Sequence, residues 1–255
     1  MSSTPPPPAP EFAPDSYFGQ CSICGQLQDF VRAARPIRET YRCQACKASL
    51  REREQAQSIM GCYGDLHANT LQELVTLDAF KRLMIYEPGT VGPFRKLFKP
   101  LPHYHQSDYY LEAERHKATP ELPHQSLEAL SYPDQHFDLL ITSDILEHVR
   151  KPMQAFAETW RVLKPGGYHV FTVPLQDPVP AKTVARVDVS GDQDVHILPE
   201  YYHGNGKGGR SLVYNDFGRD IVEMLTAVGF SAFLRRAITG STEASRAYTV
   251  IARRY

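Results

Sequence analysis

The chain has 255 residues, 42% of them hydrophobic and 22% charged, with 28 basic side chains against 29 acidic ones and a formal net charge of −1. That length holds one domain of ordinary size plus a small appendage, and the near-neutral balance removes any global electrostatic drive toward nucleic acid. No apolar run approaches the roughly 18 residues of a helical bilayer span. The first residues, MSSTPPPPAPEFAP, lack a basic start followed by an apolar core, so they do not read as a secretory signal. They predict a disordered, extended tail over residues 1–16 and a cytoplasmic protein.

Cys21 and Cys24 are separated by two residues, as are Cys43 and Cys46, with 18 residues between the pairs. This is the spacing of a zinc ribbon, in which each CxxC turn points two thiolates at one ion and two turns close a tetrahedral site. Four protein ligands leave no open position, so the Zn2+ is expected to be structural, holding together a module over residues 17–50 that has little core of its own. Gly25 suits the backbone angles of the first turn. Phe30-Val31 and Tyr41-Arg42 read as short strands. Arg32, Arg35 and Arg38 decorate the connecting loop, either to meet an anionic substrate or as a solvated basic face. Cys62 has no CxxC partner and reads as a plain thiol. Ser49 to Met60 reads as a polar helix that leads from the module into a helical linker, residues 51–70.

Leu71, Leu74, Leu77 and Phe80 then predict an amphipathic helix, followed by a strand over Leu83 to Tyr86 and the loop Glu87-Pro88-Gly89-Thr90-Val91-Gly92. The next apolar segment ends at Ser107-Asp108. A third strand is expected before Gln125-Ser126-Leu127. The stretch from Phe137 to Pro174 reads without a break as strand, polar loop, helix, tight turn and strand. Leu139, Leu140 and Ile141 form the short continuous apolar run of a parallel strand buried on both faces. Ser143, Asp144, Glu147 and His148 follow it, where ligands of open α/β sheets bind. Phe156, Trp160 and Leu163 keep helical spacing until Lys164-Pro165-Gly166-Gly167 turns the chain into a strand over Tyr168 to Val173. A polar insertion, residues 174–212, precedes a helix with Ile221, Leu225 and Val228, ended by Gly229. Phe230 to Leu234 and Tyr248 to Ala252 read as a closing antiparallel pair.

The segment FDLLITSDILEHVRKPMQAFAETWRVLKPGGYHVFTVP, with an acid just after one strand and LKPGG before the next, resembles the class I S-adenosylmethionine (SAM)-dependent methyltransferases of the Methyltransferase-11 type, and the resemblance extends over residues 71–255. It implies a Rossmann-like, seven-stranded, mostly parallel sheet with helices on both faces, beside the small N-terminal zinc ribbon. It implies SAM as cofactor, bound by Glu87, Gly89 and Gly92 in the glycine loop, Asp108 at the ribose, Gln125, Ser126 and Leu127 at the adenine, and Ser143 and Asp144 after the fourth strand. In the glycine loop, Val91 and Pro93 stand where the family has its second and third glycines. The segment HILPEYYH resembles a bacterial branch of the family, which implies acceptor-side roles for His196, Glu200, Tyr202 and His203, with His148 beside them. His203 first and His196 second are the candidate general bases, because imidazole titrates near neutral pH. Glu147 reads as an acid at a helix start or as a structural group.

The function implied is methyl transfer to a small-molecule, glycan or natural-product acceptor. Two alternatives stand beside it. A zinc ribbon ahead of this fold also resembles some ribosomal RNA methyltransferases, and the eroded glycine loop with no adenine-site acid would suit a non-catalytic, zinc-dependent interaction module. The charge balance argues against the first, and measurable cofactor binding would argue against the second.

Overall fold

The computed structural model describes residues 15–90, 93–204, 206 and 208–255. Most of the predicted tail, residues 1–14, lies outside them. Ser16–Gln20 (β1) and Leu27–Val31 (β2) pair antiparallel, from Ser16↔Val31 to Gln20↔Leu27. The turn joining them is the first CxxC, closed by Gly25 N–H to the Cys21 carbonyl at 2.9 Å, with Gly25 at φ +78°. The second CxxC repeats it, Lys47 N–H reaching the Cys43 carbonyl at 2.9 Å. The strand expected at Tyr41-Arg42 does not form. Tyr41 takes φ 49°, outside any strand conformation, which buries its ring and directs its hydroxyl to Asp15 at 2.5 Å.

Ser49 starts the helix Leu50–Cys62 (α1) with a reciprocal cap: its hydroxyl accepts from Glu52 N–H while the Glu52 carboxylate accepts from Ser49 N–H at 2.7 Å. The helix reads polar yet is buried, because its polar side chains find partners on both sides. Gln55 donates to the carbonyls of Thr142 and Val170 at 3.0 and 3.1 Å, and Glu54 accepts from Arg235 at 3.3 Å. Arg53 donates to the Tyr41 carbonyl at 2.9 Å and lies 3.7 Å over the Phe30 ring. The segment read as a linker is thus, from Leu50 to Cys62, a packed element joining the cysteine hairpin to the main sheet.

The single helix predicted over Leu71 to Phe80 breaks into Leu71–Leu74 (α2) and Asp78–Lys81 (α3), because Leu77 between them is extended. Backbone N–H groups of Leu71 and Gln72 donate to the carbonyls of Ser22 and Ile23 at 2.8 and 3.0 Å, so the first CxxC fixes where the helix begins. Further on come Ile85–Pro88 (β3), Pro93–Phe98 (α4), Tyr104–Ser107 (β4), Phe137–Ser143 (β5), Pro152–Val162 (α5) and Leu163–Thr172 (β6). The insertion supplies short pieces: Val184–Ala185 (β7), Val187–Asp188 (β8), Val195–His196 (β9), Tyr202–Gly204 (β10), Arg210–Leu212 (β11) and Asn215–Asp216 (β12). Ile221–Ala227 (α6), Phe230–Arg236 (β13) and Tyr248–Arg254 (β14) complete the chain.

The main sheet has the order β13-β14-β6-β5-β3-β4. Its β4, β3, β5 and β6 run parallel, while β14 lies antiparallel between β6 and β13. Among the described residues six strands form it, one fewer than the seven expected. The third predicted strand contracts to one parallel bridge, Asp108↔His124, because Gln125 folds back on Ser131, donating to its hydroxyl at 2.6 Å and accepting from its N–H at 2.9 Å.

Both faces of the sheet are covered, which explains the unbroken apolar run in β5. Leu139 and Ile141 join one core with Ile85, Val170 and Ile251, continuous with Leu50 and Ile59 of α1 and with Phe30, Cys21 and Cys43 of the hairpin. Leu140 joins the opposite core with Tyr86, Phe171, Phe156 of α5 and Ile221 of α6. No helix among the described residues is long and apolar enough to cross a membrane.

Candidate functional site

The four cysteines converge. Cys21 Sγ stands 3.8 Å from Cys46 Sγ, and Cys24 Sγ 3.6 Å from Cys43 Sγ. Sulfurs each about 2.3 Å from one tetrahedral ion stand about 3.8 Å apart, so the donor set fits zinc. The crowding polarises the thiols: the Cys46 hydrogen bond draws Cys21 down to about 5, and the same contact pushes Cys46 up. A shared cation would let all four ionise together. Cys62 is apart from this set, its thiol pushed up to about 12 by burial, as a plain semi-buried cysteine should be.

A second row of groups lies along the carboxyl ends of the parallel strands. Glu87, on β3, is 6% exposed and accepts from the Tyr104 hydroxyl at 2.6 Å. Burial pushes its carboxyl up to about 7, against the opposing effects of that hydrogen bond and of Arg95. Gly89 follows at φ +90°, with Ile145 Cδ1, at 3.8 Å, the only atom from beyond its chain neighbours, among the described residues, within 4 Å of where a Cβ would stand. Gly92 lies outside the described residues. Asp108 follows β4, its carboxylate accepting from Tyr109 N–H at 2.9 Å. Gln125 is buried with both ends of its amide on Ser131, Ser126 accepts from Glu128 N–H at 3.2 Å, and Leu127 belongs to the core.

Asp144 sits just past β5 at φ 52°. Arg38 grips it with two nitrogens, at 2.7 and 3.2 Å, Arg51 Nε lies at 3.2 Å, and the Thr172 hydroxyl donates at 3.0 Å. Burial alone would raise its pKa, but Arg38 and Arg51 outweigh burial and hold it at about 2. Ser143 donates to Gln55 at 2.6 Å. Of the loop arginines read as candidates for an anionic substrate, Arg38 therefore faces Asp144, and Arg32 faces Glu243 at 2.9 Å. Arg51 at this carboxylate was not foreseeable, since within α1 it is one charge in an alternating series.

The insertion brings the third group together. His203, on β10, has Nδ1 3.5 Å from Glu147 Oε1, and His148 Nε2 is 3.7 Å from the same oxygen. The two imidazoles meet edge to face, with centroids 5.3 Å apart. His148 donates from Nδ1 to the carbonyl of Leu212, on β11, at 2.7 Å. His196 pairs instead with Glu200 at 3.5 Å, and the Tyr202 hydroxyl donates to Glu200 at 2.9 Å, all near the surface. The structure thus divides the predicted acceptor-side residues into a His148–His203 group around Glu147 and a His196–Glu200–Tyr202 group. Glu147 was not among the predicted site residues. The sequence signal for it is its place beside His148 just past the strand end.

Glu87, Asp108 and Asp144 thus stand at the carboxyl ends of β3, β4 and β5, the edge at which open α/β sheets bind their ligands. Residues 92–171 match the family model described as a methyltransferase domain. Asp108, Asp144, Glu147 and His148 all lie inside that match. No protein of curated function matches the chain. Solved structures that resemble it include an S-adenosylmethionine-dependent methyltransferase from Mesorhizobium loti (19% identity, TM-score 0.43, covering 68% of this chain and 91% of that one). Others are the CcbJ methyltransferase from Streptomyces caelestis (16%, 0.45, 72% and 94%) and the glycopeptide N-methyltransferase MtfA complexed with sinefungin (15%, 0.43, 68% and 87%).

Proposed function

We propose that the protein is a SAM-dependent methyltransferase acting on a small-molecule or glycan acceptor in the cytoplasm, with a structural Zn2+ in the four-cysteine centre. The observation that carries this reading is the alignment of Glu87, Gly89, Asp108 and Asp144 at the carboxyl ends of three adjacent parallel strands, the last two within the methyltransferase match. Bound there, SAM supplies a methyl group on a positively charged sulfur. Asp108 offers two acceptor oxygens to ribose hydroxyls. Glu87 offers a carboxylate to an amino group, and the positive φ of Gly89 lets the backbone approach a ligand. Because the Gln125 amide is held by Ser131, the adenine border is left to the Leu127 side chain and to backbone groups of Gln125 and Ser126. Ser143 and Asp144 hold the loop after β5 in place through Gln55, Arg38 and Arg51.

Methyl transfer from a sulfonium is an in-line displacement that mainly requires alignment, so positioning is the chief catalytic contribution. On the acceptor side the His148–His203–Glu147 cluster faces the proton that the acceptor must lose, and His196, Glu200 and Tyr202 form an outer rim. Isothermal titration with SAM and S-adenosylhomocysteine tests the reading. Micromolar affinity that Asp108→Ala weakens supports it. Absence of binding by zinc-loaded protein would favour a non-catalytic interaction module instead.

A further inference from the structure

Glu147 is 1% exposed, and neither of its carboxylate oxygens has a hydrogen-bond partner among the described residues. A buried, uncompensated carboxylate is strongly unfavourable, so this position calls for a positive charge. The two imidazole nitrogens facing it, at 3.5 and 3.7 Å, are too distant to hydrogen-bond. His148 cannot rotate to help, because its Nδ1–H is committed to the Leu212 carbonyl at 2.7 Å. In the neutral ring, His148 Nε2 therefore presents a lone pair to a carboxylate that also presents lone pairs. A cation held between them resolves that arrangement.

The spacing selects the cation. Donors about 2.0–2.1 Å from one tetrahedral ion stand about 3.4 Å apart, close to both observed separations. The three ligand atoms all lie within 4.8 Å of one another. A carbonyl hydrogen-bonded to the far nitrogen of a histidine, as Leu212 is to His148, is the usual support behind a metal-bound imidazole. Two nitrogens and one carboxylate suit Zn2+ and the neighbouring divalent transition metals rather than Mg2+ or Ca2+, which prefer all-oxygen shells.

We propose that Glu147, Nε2 of His148 and Nδ1 of His203 bind a second divalent transition-metal ion, distinct from the four-cysteine centre and with a position open to an oxygen of the methyl acceptor. Three protein ligands characterise a site that keeps such a position. His203 is then a ligand rather than a free base, and the ion itself acidifies a bound hydroxyl. The role in transfer rests on the methyltransferase reading; the binding of the ion does not.

The test is metal stoichiometry on the full-length protein, stripped and reloaded with Zn2+ and, separately, with Co2+, with SAM titrated in parallel. Two equivalents per chain are expected, with Co2+ showing a thiolate charge-transfer band from one site and weaker visible bands without that signature from the other. Glu147→Gln, which keeps the side-chain volume, and His203→Ala, on a half-buried hairpin strand, should each reduce the count to one while leaving the thiolate band unchanged. A single equivalent in the unmodified protein, bound only by thiolate, would overturn the proposal, as would two equivalents that survive both substitutions. One equivalent with intact SAM binding removes the ion but keeps the methyltransferase; two equivalents without SAM binding do the reverse.

Discussion

Arg38, in the loop between the two CxxC turns, holds Asp144 at the end of β5 through both terminal nitrogens, at 2.7 and 3.2 Å. The side chains are 14% and 25% exposed, so the pair is largely shielded from solvent. The cysteine module is thereby tied to the loop that carries the candidate site.

Arg38→Ala should destabilise the protein by about 3 kcal/mol, at the lower end for breaking one side of a buried pair, because Arg51 and Thr172 still face Asp144. Asp144→Asn should cost more, since it leaves two guanidinium groups uncompensated. Chemical denaturation of the two single variants and the double variant measures the coupling. A loss under about 1 kcal/mol for Arg38→Ala would mean that Arg51 alone sustains the carboxylate. Asp144 also sets an acid limit. Its folded pKa of about 2 lies below the ordinary 3.8, so its contribution of about 2 kcal/mol is complete above pH 4 and is lost as pH falls from 4 to 2.

Glu87 has the opposite sign. Its folded pKa of about 7 exceeds the ordinary 4.5, so it contributes nothing below pH 4.5 and imposes a growing penalty, reaching about 3 kcal/mol, as pH rises to 7 and beyond. Glu87→Gln should therefore raise stability at pH 8 and leave it unchanged at pH 4. If the amino group of a bound ligand meets this carboxylate, binding near pH 6.5 releases a proton. Titration calorimetry in buffers of different ionisation enthalpy would register that release, and the variant should abolish it.

His169, fully buried, hydrogen-bonds the Thr142 hydroxyl at 2.9 Å. Burial lowers its pKa from 6.5 to about 3. The unfolded chain takes up this proton first, so stability falls as pH drops from 6.5 toward 3, by up to about 5 kcal/mol. His169→Gln should flatten that limb of the pH–stability profile while leaving the loss between pH 4 and 2, which belongs to Asp144. Equal slopes for both proteins between pH 6 and 4 would refute the assignment.

Zinc removal should reach well beyond the hairpin. Cys21 and Cys43 share a core with Ile85, Leu139 and Val170 of the main sheet, and α1 bridges the two. Structural zinc in small modules contributes about 10–16 kcal/mol of binding energy, and each kcal/mol moves the melting temperature of a domain this size by about 2–4 °C. Cys43→Ala or chelation should thus lower the melting temperature by at least about 10 °C. An unchanged melt after confirmed metal loss would show that the hairpin is held by packing alone.

Much of this molecule is local in origin, and the sequence determined it. The CxxC turns, the Ser49 cap and the apolar run of β5 each arise from neighbouring residues whose geometry or periodicity admits few alternatives, whereas LKPGG, expected as a turn ahead of its strand, lies within β6 as a bulge against β5. Those signals fixed the parallel sheet and the row of acids at its edge. Tertiary structure decided what each charged group faces. Nothing in the order of residues pairs Arg38 or Arg51 with Asp144, buries the polar helix α1 through Gln55, or shortens the third strand through Gln125 and Ser131. Nor does it join His203 to Glu147 and His148 while His196, seven positions earlier, pairs with Glu200. Contacts between groups distant along the chain are set by how sheet, hairpin and insertion pack, because a side chain's partner depends on which backbone is brought beside it.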